Sequence, residues 1–172
     1  MPFLPRWAAV QTRYTARAGY VGAVARILIV GCGCRGRELG RELGERGHAI
    51  RGTSRTEAGR AAIEQAGFEG VIADPGRLGT LLPHLQGTSV LCWLMGTVPD
   101  PALNEERFAA LLDTLVDTHV RGAVYEAGAG HAAAERAAAT YRMPVERVGE
   151  PLSDPSAWLP AAVRAVESVL AA

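Results

Sequence analysis

The chain has 172 residues, a formal net charge of zero, a pI of about 6.9 and 48% hydrophobic residues. Zero net charge excludes the broad electropositive face that nucleic acid or an anionic membrane would need, so we expect neither as a partner. All 18 basic residues are arginine, a bias typical of a GC-rich bacterial genome. The absence of lysine excludes a Walker A phosphate loop and a Schiff-base enzyme, since both need that residue.

Residues 1–24 differ in character from the rest of the chain. They contain three arginines, two prolines and no acidic residue. We interpret them as a leader that is weakly structured, or as an upstream extension of a single domain at residues 25–172. A targeting peptide is the alternative, because Arg6, Arg13 and Arg17 would share one face of a helix.

After the leader, short apolar runs alternate with helix-like segments, which is typical of a parallel sheet built from strand-helix-strand units. The predicted strands cover residues 26–30, 48–53, 70–73, 88–94, 121–126 and 144–148. Helices are predicted at 35–46, 56–66, 76–86, 103–118, 131–142 and 156–171. This pattern predicts an α/β fold of one domain, a doubly wound parallel sheet of the Rossmann type with about six strands in the order 3-2-1-4-5-6.

The stretch GCGCRG at residues 31–36 follows the first strand and opens the first helix. In that context GxGxxG is typical of a loop that binds a dinucleotide. Gly31 permits the tight turn, Gly33 lets the backbone approach a pyrophosphate, and Gly36 allows close packing of helix and strand. Cys34 and Arg35 lie inside the loop, where free N–H groups of the helix would meet the phosphates.

The end of the second strand indicates which dinucleotide binds. A carboxylate there would accept hydrogen bonds from the ribose of NAD, but the chain has Thr53, Ser54 and Arg55 instead. Arg55, with Arg35 as a second guanidinium, can form a charge-assisted pair with a 2′-phosphate. We therefore expect NADP(H) to be preferred over NAD(H).

The block RILIVGCGCRGRELGRELGERGHAIRGTSR, followed by VIADP and SVLCWLMGT, resembles the atypical, epimerase/dehydratase-like branch of the short-chain dehydrogenase/reductase superfamily. The resemblance covers about residues 25–150 and implies a NAD(P)-binding oxidoreductase. It also implies that Asp74 contacts the adenine amino group, and that Gly96 and Thr97 line the ribose and nicotinamide side.

The chain departs from that family at its catalytic pair. Active members use Tyr-x-x-x-Lys, whereas here Tyr125 is followed four positions later by Ala129, and the chain has no lysine. We therefore expect substitute acid/base groups near the fifth strand, with His131 as the best candidate and Tyr125 and Glu126 behind it. The alternative function is a non-catalytic NADP(H)-binding redox sensor, regulator or scaffold.

The three cysteines have no paired spacing, which suits a reducing cytoplasm and predicts no disulfide framework. Cys32 and Cys34 with scattered histidines also make a poor metal site, so no metal is expected. Reversible oxidation of these thiols that blocks NADP is a further alternative. The apolar last helix, AWLPAAVRAVESVLAA, either covers the sheet or joins a homodimer.

Overall fold

A computed structural model describes residues 24–128 and 130–172. They form one six-stranded sheet in the order β3-β2-β1-β4-β5-β6, and every neighbouring pair of strands is parallel. This confirms the predicted doubly wound α/β fold and its strand order. The prediction of a leader at residues 1–24 falls almost wholly on residues outside the described ones.

Except between β3 and β4, the strands and α-helices alternate along the chain as the apolar pattern predicts. The strands are β1 (Arg26–Val30), β2 (Ala49–Ser54), β3 (Glu69–Ile72), β4 (Val90–Trp93), β5 (Gly122–Glu126) and β6 (Val145–Val148). The helices are α1 (Cys34–Glu45), α2 (Glu57–Gln65), α3 (Phe108–Leu115), α4 (His131–Tyr141) and α5 (Pro155–Ala171). Within the described ranges, no helix combines the length and the apolar character needed to span a bilayer.

Each face of the sheet is covered by its own apolar cluster. One cluster joins the sheet to α3 and α4 and includes Trp93, Phe108 and Tyr125. The other joins it to α1, α2 and α5 and includes Leu39 and Trp158. The apolar side of α5 is therefore buried against the sheet, as one of the two predicted roles of the last helix requires.

The predicted helix at 76–86 is wrong. Two short 3-10 helices stand there, Leu78–Thr80 and Leu82–Leu85. The Thr80 hydroxyl donates to the backbone carbonyl of Asp74 or of Arg77, at 3.0 and 2.8 Å. Such side-chain bonds to the backbone compete with an α-helix, and Pro83 lacks the N–H that a helix interior needs.

A π-helical turn, Ala102–Arg107, leads directly into α3. Its wide backbone turns the buried Asn104 toward the core, where its side-chain oxygen accepts a hydrogen bond of 3.3 Å from the Trp93 indole. The Asn104 amide nitrogen donates to the Val98 carbonyl at 2.7 Å. Asn104 therefore fixes the segment that follows β4 to the core.

Helix α1 lies close to the sheet through glycines on one face. An added Cβ at Gly40 would lie 2.9 Å from the Phe68 ring and 3.2 Å from Ile50, so no larger residue fits without movement. At Gly44, also buried on that face, an added Cβ would meet nothing within 4 Å. The close approach of α1 to the sheet therefore requires glycine at position 40 but does not require it at position 44.

This difference gives a test of the α1 packing. Gly44→Ala should raise the free energy of unfolding, because alanine favours the helix and meets no neighbour. Gly40→Ala should be less stable than Gly44→Ala by about 1–3 kcal/mol, the usual cost of overpacking. Urea unfolding of both variants measures the difference, and equal stabilities would show that α1 packs less closely than the structure has it.

Candidate functional site

The turn between β1 and α1 has the geometry expected of the glycine motif. Gly31 has a φ of 81°, and an added Cβ there would lie 2.7 Å from the Leu94 carbonyl oxygen. The Cβ of a residue at position 36 would lie 3.2 Å from the Gly31 carbonyl oxygen. Gly33 is exposed, and an added Cβ would meet nothing within 4 Å. Thus Gly31 and Gly36 serve the fold, whereas Gly33 borders open space.

The N-terminus of α1 is free to bind an anion. Gly33 occupies the N-cap position, no side chain caps the helix, and its first turn has no acidic residue. By contrast, Thr56 caps α2 and Asp154 caps α5 through their side chains. The uncapped N–H groups and the helix dipole make the start of α1 a site for phosphate.

A cleft of about 430 Å³ lies against this turn. Its walls are the glycine turn, the end of β2 and the segments that follow β3 and β4, so it opens at the carboxyl edge of the sheet where ligands of doubly wound folds bind. The predicted site residues in its lining are Gly31, Gly33, Cys34, Arg35, Thr53, Ser54, Arg55 and Thr97. Gly36, Asp74 and Gly96 lie beside the cleft without lining it.

The end of β2 presents hydroxyls and one cation to the cleft. Thr53 is buried, and the Ser54 hydroxyl accepts a hydrogen bond of 3.2 Å from the Thr56 backbone N–H. Arg55 is exposed, and no carboxylate of residues 24–128 or 130–172 lies within ion-pair distance of it. Its guanidinium is therefore available to an anion in the cleft.

Arg37 is a cleft residue that the motif analysis did not single out. It lines the cleft from the first turn of α1, where its guanidinium donates to the Cys34 sulfur at 3.5 Å. The sequence could have predicted that Arg37 lies near the glycine turn, because Arg37 is three residues after Cys34 and therefore lies on the same side of the helix. Arg37 and Arg55 are thus two arginines in the lining of one cleft.

Arg35 has a different partner from the expected phosphate. Its Nη2 and Nε donate to Oε1 of Glu126 at 3.0 and 3.3 Å. The guanidinium carbon also lies 5.7 Å from the centre of the Trp158 ring. Although Arg35 lines the cleft, its guanidinium is paired with Glu126 of β5, and Arg37 is a further arginine of the same lining.

Glu126 is fully buried at the end of β5. Besides the bond from Arg35, its Oε2 accepts a hydrogen bond of 3.0 Å from the Gly96 backbone N–H. Burial raises the pKa of Glu126, while the Arg35 charge and these hydrogen bonds act in the opposite direction. Since both oxygens are engaged and no part of the residue is exposed, this carboxylate is not presented to a substrate.

Tyr125 and His131, two of the predicted acid/base residues, are in contact. The Tyr125 hydroxyl lies 2.8 Å from Nδ1 of His131, and Nε2 of His131 lies 3.4 Å from the Glu135 carboxylate. Tyr125 is 2% exposed and burial raises its pKa, whereas the His131 side chain is 60% exposed. Of this pair, only His131 can meet a substrate from solvent.

Asp74 is engaged in its own turn. Its carboxylate accepts a hydrogen bond of 2.9 Å from the Gly76 N–H, and its neighbours Ala73 and Pro75 line the cleft.

The segment after β4 adds the apolar side chains of Leu94, Met95 and Val98 to the lining of the cleft. This wall is suited to a planar apolar ring more than to a charged group.

Two of the three cysteines, Cys32 and Cys92, are buried, and Cys34 is exposed. Burial raises the pKa of Cys32 to about 12 and raises that of Cys92 as well, which disfavours their thiolates. Cys34 is exposed at the start of α1. Across the part of the chain that the structure describes, no three His, Cys, Asp or Glu side chains are grouped to hold a metal ion.

Several solved reductases share this fold. The NADP(H) complex of triphenylmethane reductase from Citrobacter sp. aligns over 73% of this chain and 49% of its own, with a TM-score of 0.60 and 20% identity. The NADPH complex of Gre2 from Candida albicans aligns over 59% of this chain and 36% of its own, with a TM-score of 0.52 and 14% identity.

A third similar structure, a dipicolinate synthase subunit from Bacillus halodurans, aligns over 95% of this chain and 50% of its own, with a TM-score of 0.51 and 15% identity. The chain thus spans half or less of the length of these three proteins. No protein-family model and no curated protein matches the sequence. At such identities the likeness shows the fold, and the chain has the doubly wound Rossmann architecture of these enzymes.

Proposed function

We propose that the chain binds NADP(H) in the cleft and acts as an oxidoreductase on a small carbonyl or hydroxyl substrate. The observation that carries the proposal is the junction of an uncapped α1 N-terminus with two cations, Arg37 and Arg55, in one cleft. The solved reductases that hold NADP(H) and NADPH in the same fold support it.

The residues of the cleft fit a phosphorylated dinucleotide. Gly33 leaves space where any larger side chain would project toward the ligand. The free N–H groups of Cys34, Arg35 and Gly36 would bind the pyrophosphate, and Arg37 and Arg55 would bind the 2′-phosphate. The apolar wall of Met95 and Val98, with the exposed Thr97, would receive the nicotinamide end.

When bound, NADPH supplies a hydride to an electrophilic carbon. His131 would then supply the proton to the substrate oxygen. In the protonated ring, Nδ1–H would donate to the Tyr125 hydroxyl oxygen, which fixes the ring orientation and leaves the Nε2 proton to be given to the substrate. These roles replace the missing Tyr-x-x-x-Lys pair.

A second candidate function is a non-catalytic NADP(H)-binding sensor or scaffold. It is favoured by the absence of lysine and by the engagement of Glu126 with Arg35 and Gly96, which removes one of the three candidate acid/base groups. Both functions require the same cofactor cleft, so they differ only in what happens after binding.

The two glycines of the turn separate folding from binding. Gly33→Ala should keep the melting temperature of the chain, because its Cβ meets no protein atom, yet weaken NADPH binding by an order of magnitude or more through contact with phosphate. Gly31→Ala should lower the melting temperature, because φ is positive and the Leu94 carbonyl is close. Unchanged NADPH affinity in Gly33→Ala would place the ligand elsewhere.

Arg55 should set the preference for NADPH over NADH. Its charge-assisted bond to phosphate is worth roughly 1.5–3 kcal/mol, so Arg55→Ala should weaken NADPH binding about ten- to a hundredfold and leave NADH nearly unchanged. Arg55→Asp should invert the preference by offering a carboxylate to the ribose hydroxyls.

Arg37 shares the cleft with Arg55 and is expected to soften the effect of the single Arg55→Ala change. Titration of each variant with each reduced cofactor, followed by nicotinamide fluorescence, measures both affinities. Equal losses for NADPH and NADH in Arg55→Ala would mean that Arg55 does not recognise the 2′-phosphate.

Catalysis is tested with a panel of aldehydes and ketones and the absorbance of NADPH. His131→Gln should lower kcat by about 10²- to 10⁴-fold, the usual contribution of an acid/base group, while NADPH affinity stays as in the wild type. His119→Gln, which changes a histidine before β5 at the opposite edge of the sheet, is the matched control. Wild-type protein that binds NADPH but reduces no carbonyl would favour the sensor.

A further inference from the structure

We propose that Glu126 is a positioning residue that ties the two sides of the dinucleotide cleft together. The inference rests on the proposed function, since it concerns how the same cleft is shaped. We call the group formed by Arg35, Glu126 and Gly96 the carboxylate tie. It assigns to Glu126 a role in binding the whole dinucleotide instead of a role in proton transfer.

The carboxylate tie connects two segments that belong to different sides of the cleft. Arg35 is the second residue of α1, on the side of the glycine turn that would bind pyrophosphate. Gly96 belongs to the segment after β4, next to the residues that would receive the nicotinamide end. One carboxylate bonds both, with Oε1 accepting from Arg35 at 3.0 Å and Oε2 accepting from the Gly96 N–H at 3.0 Å.

The backbone hydrogen bonds of the sheet do not extend as far as the Arg35–Glu126–Gly96 group. Between β1 and β4 the ladder ends with the bond from the Leu94 N–H to the Val30 carbonyl, at 3.0 Å. Beyond it the two segments diverge to form the cleft. Glu126 reaches across from β5, which is separated from β1 by β4 in the sheet. The tie therefore adds a link where backbone pairing has stopped.

Glycine at position 96 makes this reach possible. An added Cβ there would lie 2.6 Å from the Ala127 carbonyl oxygen, 2.9 Å from the Glu126 Cβ and 3.3 Å from its Oε2. Any side chain would push the β4 segment away from the carboxylate. Glycine at position 96 is thus required by the close approach of Ala127 and Glu126.

The surroundings make the tie stiff. Glu126 is fully buried, the Arg35 side chain is 30% exposed, and the buried Trp158 of α5 lies against the guanidinium. A pair with one fully desolvated partner is screened little by water, so its geometry is held more firmly than that of a surface pair. A dinucleotide that spans both segments benefits from this preorganisation, because less ordering is required when it binds.

A ligand that touches only one side of the cleft should not depend on the tie. Adenosine 2′,5′-bisphosphate carries the adenosine, the 2′-phosphate and one 5′-phosphate, but no nicotinamide half. Its contacts would involve the glycine turn, Arg37 and Arg55, all on one side. Comparison of NADPH with this half ligand therefore separates a role in joining the two sides from a general loss of structure.

The experiment measures the affinity of both ligands for the wild type and for Glu126→Gln. We expect NADPH to bind about tenfold more weakly to Glu126→Gln, as for the loss of a charge-assisted bond. The half ligand should change by no more than about twofold, the range for groups that share no partner. Glu167→Gln, which removes the exposed 2.7 Å pair between Arg46 and Glu167, should leave both affinities unchanged.

Arg35→Met tests the same ion pair by changing its more exposed member. This variant can replace Glu126→Gln if Glu126→Gln does not fold. The double variant Arg35→Met/Glu126→Gln should lose no more NADPH affinity than the weaker-binding single variant, because the two residues act through one interaction. Additive losses would overturn the tie.

The outcomes also separate the two proposals. If the wild type binds neither ligand, the proposed function fails and the tie has no cofactor to position. If the wild type binds both ligands, the cofactor site stands. The positioning role of Glu126 is then overturned if Glu126→Gln and Arg35→Met weaken the binding of both ligands equally, or weaken the binding of neither. Weaker binding of NADPH with unchanged binding of adenosine 2′,5′-bisphosphate in these variants supports the positioning role of Glu126.

Discussion

The cleft depends on the pairing of β1 with β4 at the centre of the sheet. After β1 the chain turns away through Gly31 into α1, and after β4 it turns away toward the opposite face. Neighbouring parallel strands whose connections leave on opposite faces necessarily open a crevice between them. The glycine turn, the cleft arginines Arg37 and Arg55 and the apolar wall around Met95 all take their places from this divergence.

A crevice of this kind is also a weak point, because the backbone bonds that hold the sheet end at its floor. The chain compensates with side chains that originate far away in sequence. Glu126 is 91 residues from Arg35, and Asn104 reaches back to Val98 and to Trp93. The shape of the cleft is thus maintained by the buried polar side chains Glu126 and Asn104, whose hydrogen bonds join segments on either side of it.

The sequence predicted the central strands β1, β4 and β5 well because buried parallel strands are near-continuous apolar runs, and the β1 run and its glycines are unambiguous. The segment at 76–86 was predicted less well, since Thr80 and Pro83 act locally against the helix that the spacing favours. For the cleft, the sequence predicted that Arg55 and the glycine turn belong to one site, and they line one cleft, but it did not predict the partner of Arg35. That partner is set by the tertiary fold, and no local pattern around Arg35 or Glu126 indicates it.

The bond between Trp93 and Asn104 has an optical consequence. Indole emission depends on the polarity and hydrogen bonding around the ring, and Trp93 shares Asn104 with Val98, a residue of the cleft wall. Trp158 lies against Arg35, which also lines the cleft. Two of the three tryptophans are therefore one or two contacts away from any ligand in the cleft, so the unlabelled chain carries its own fluorophores for following occupancy and loop movement.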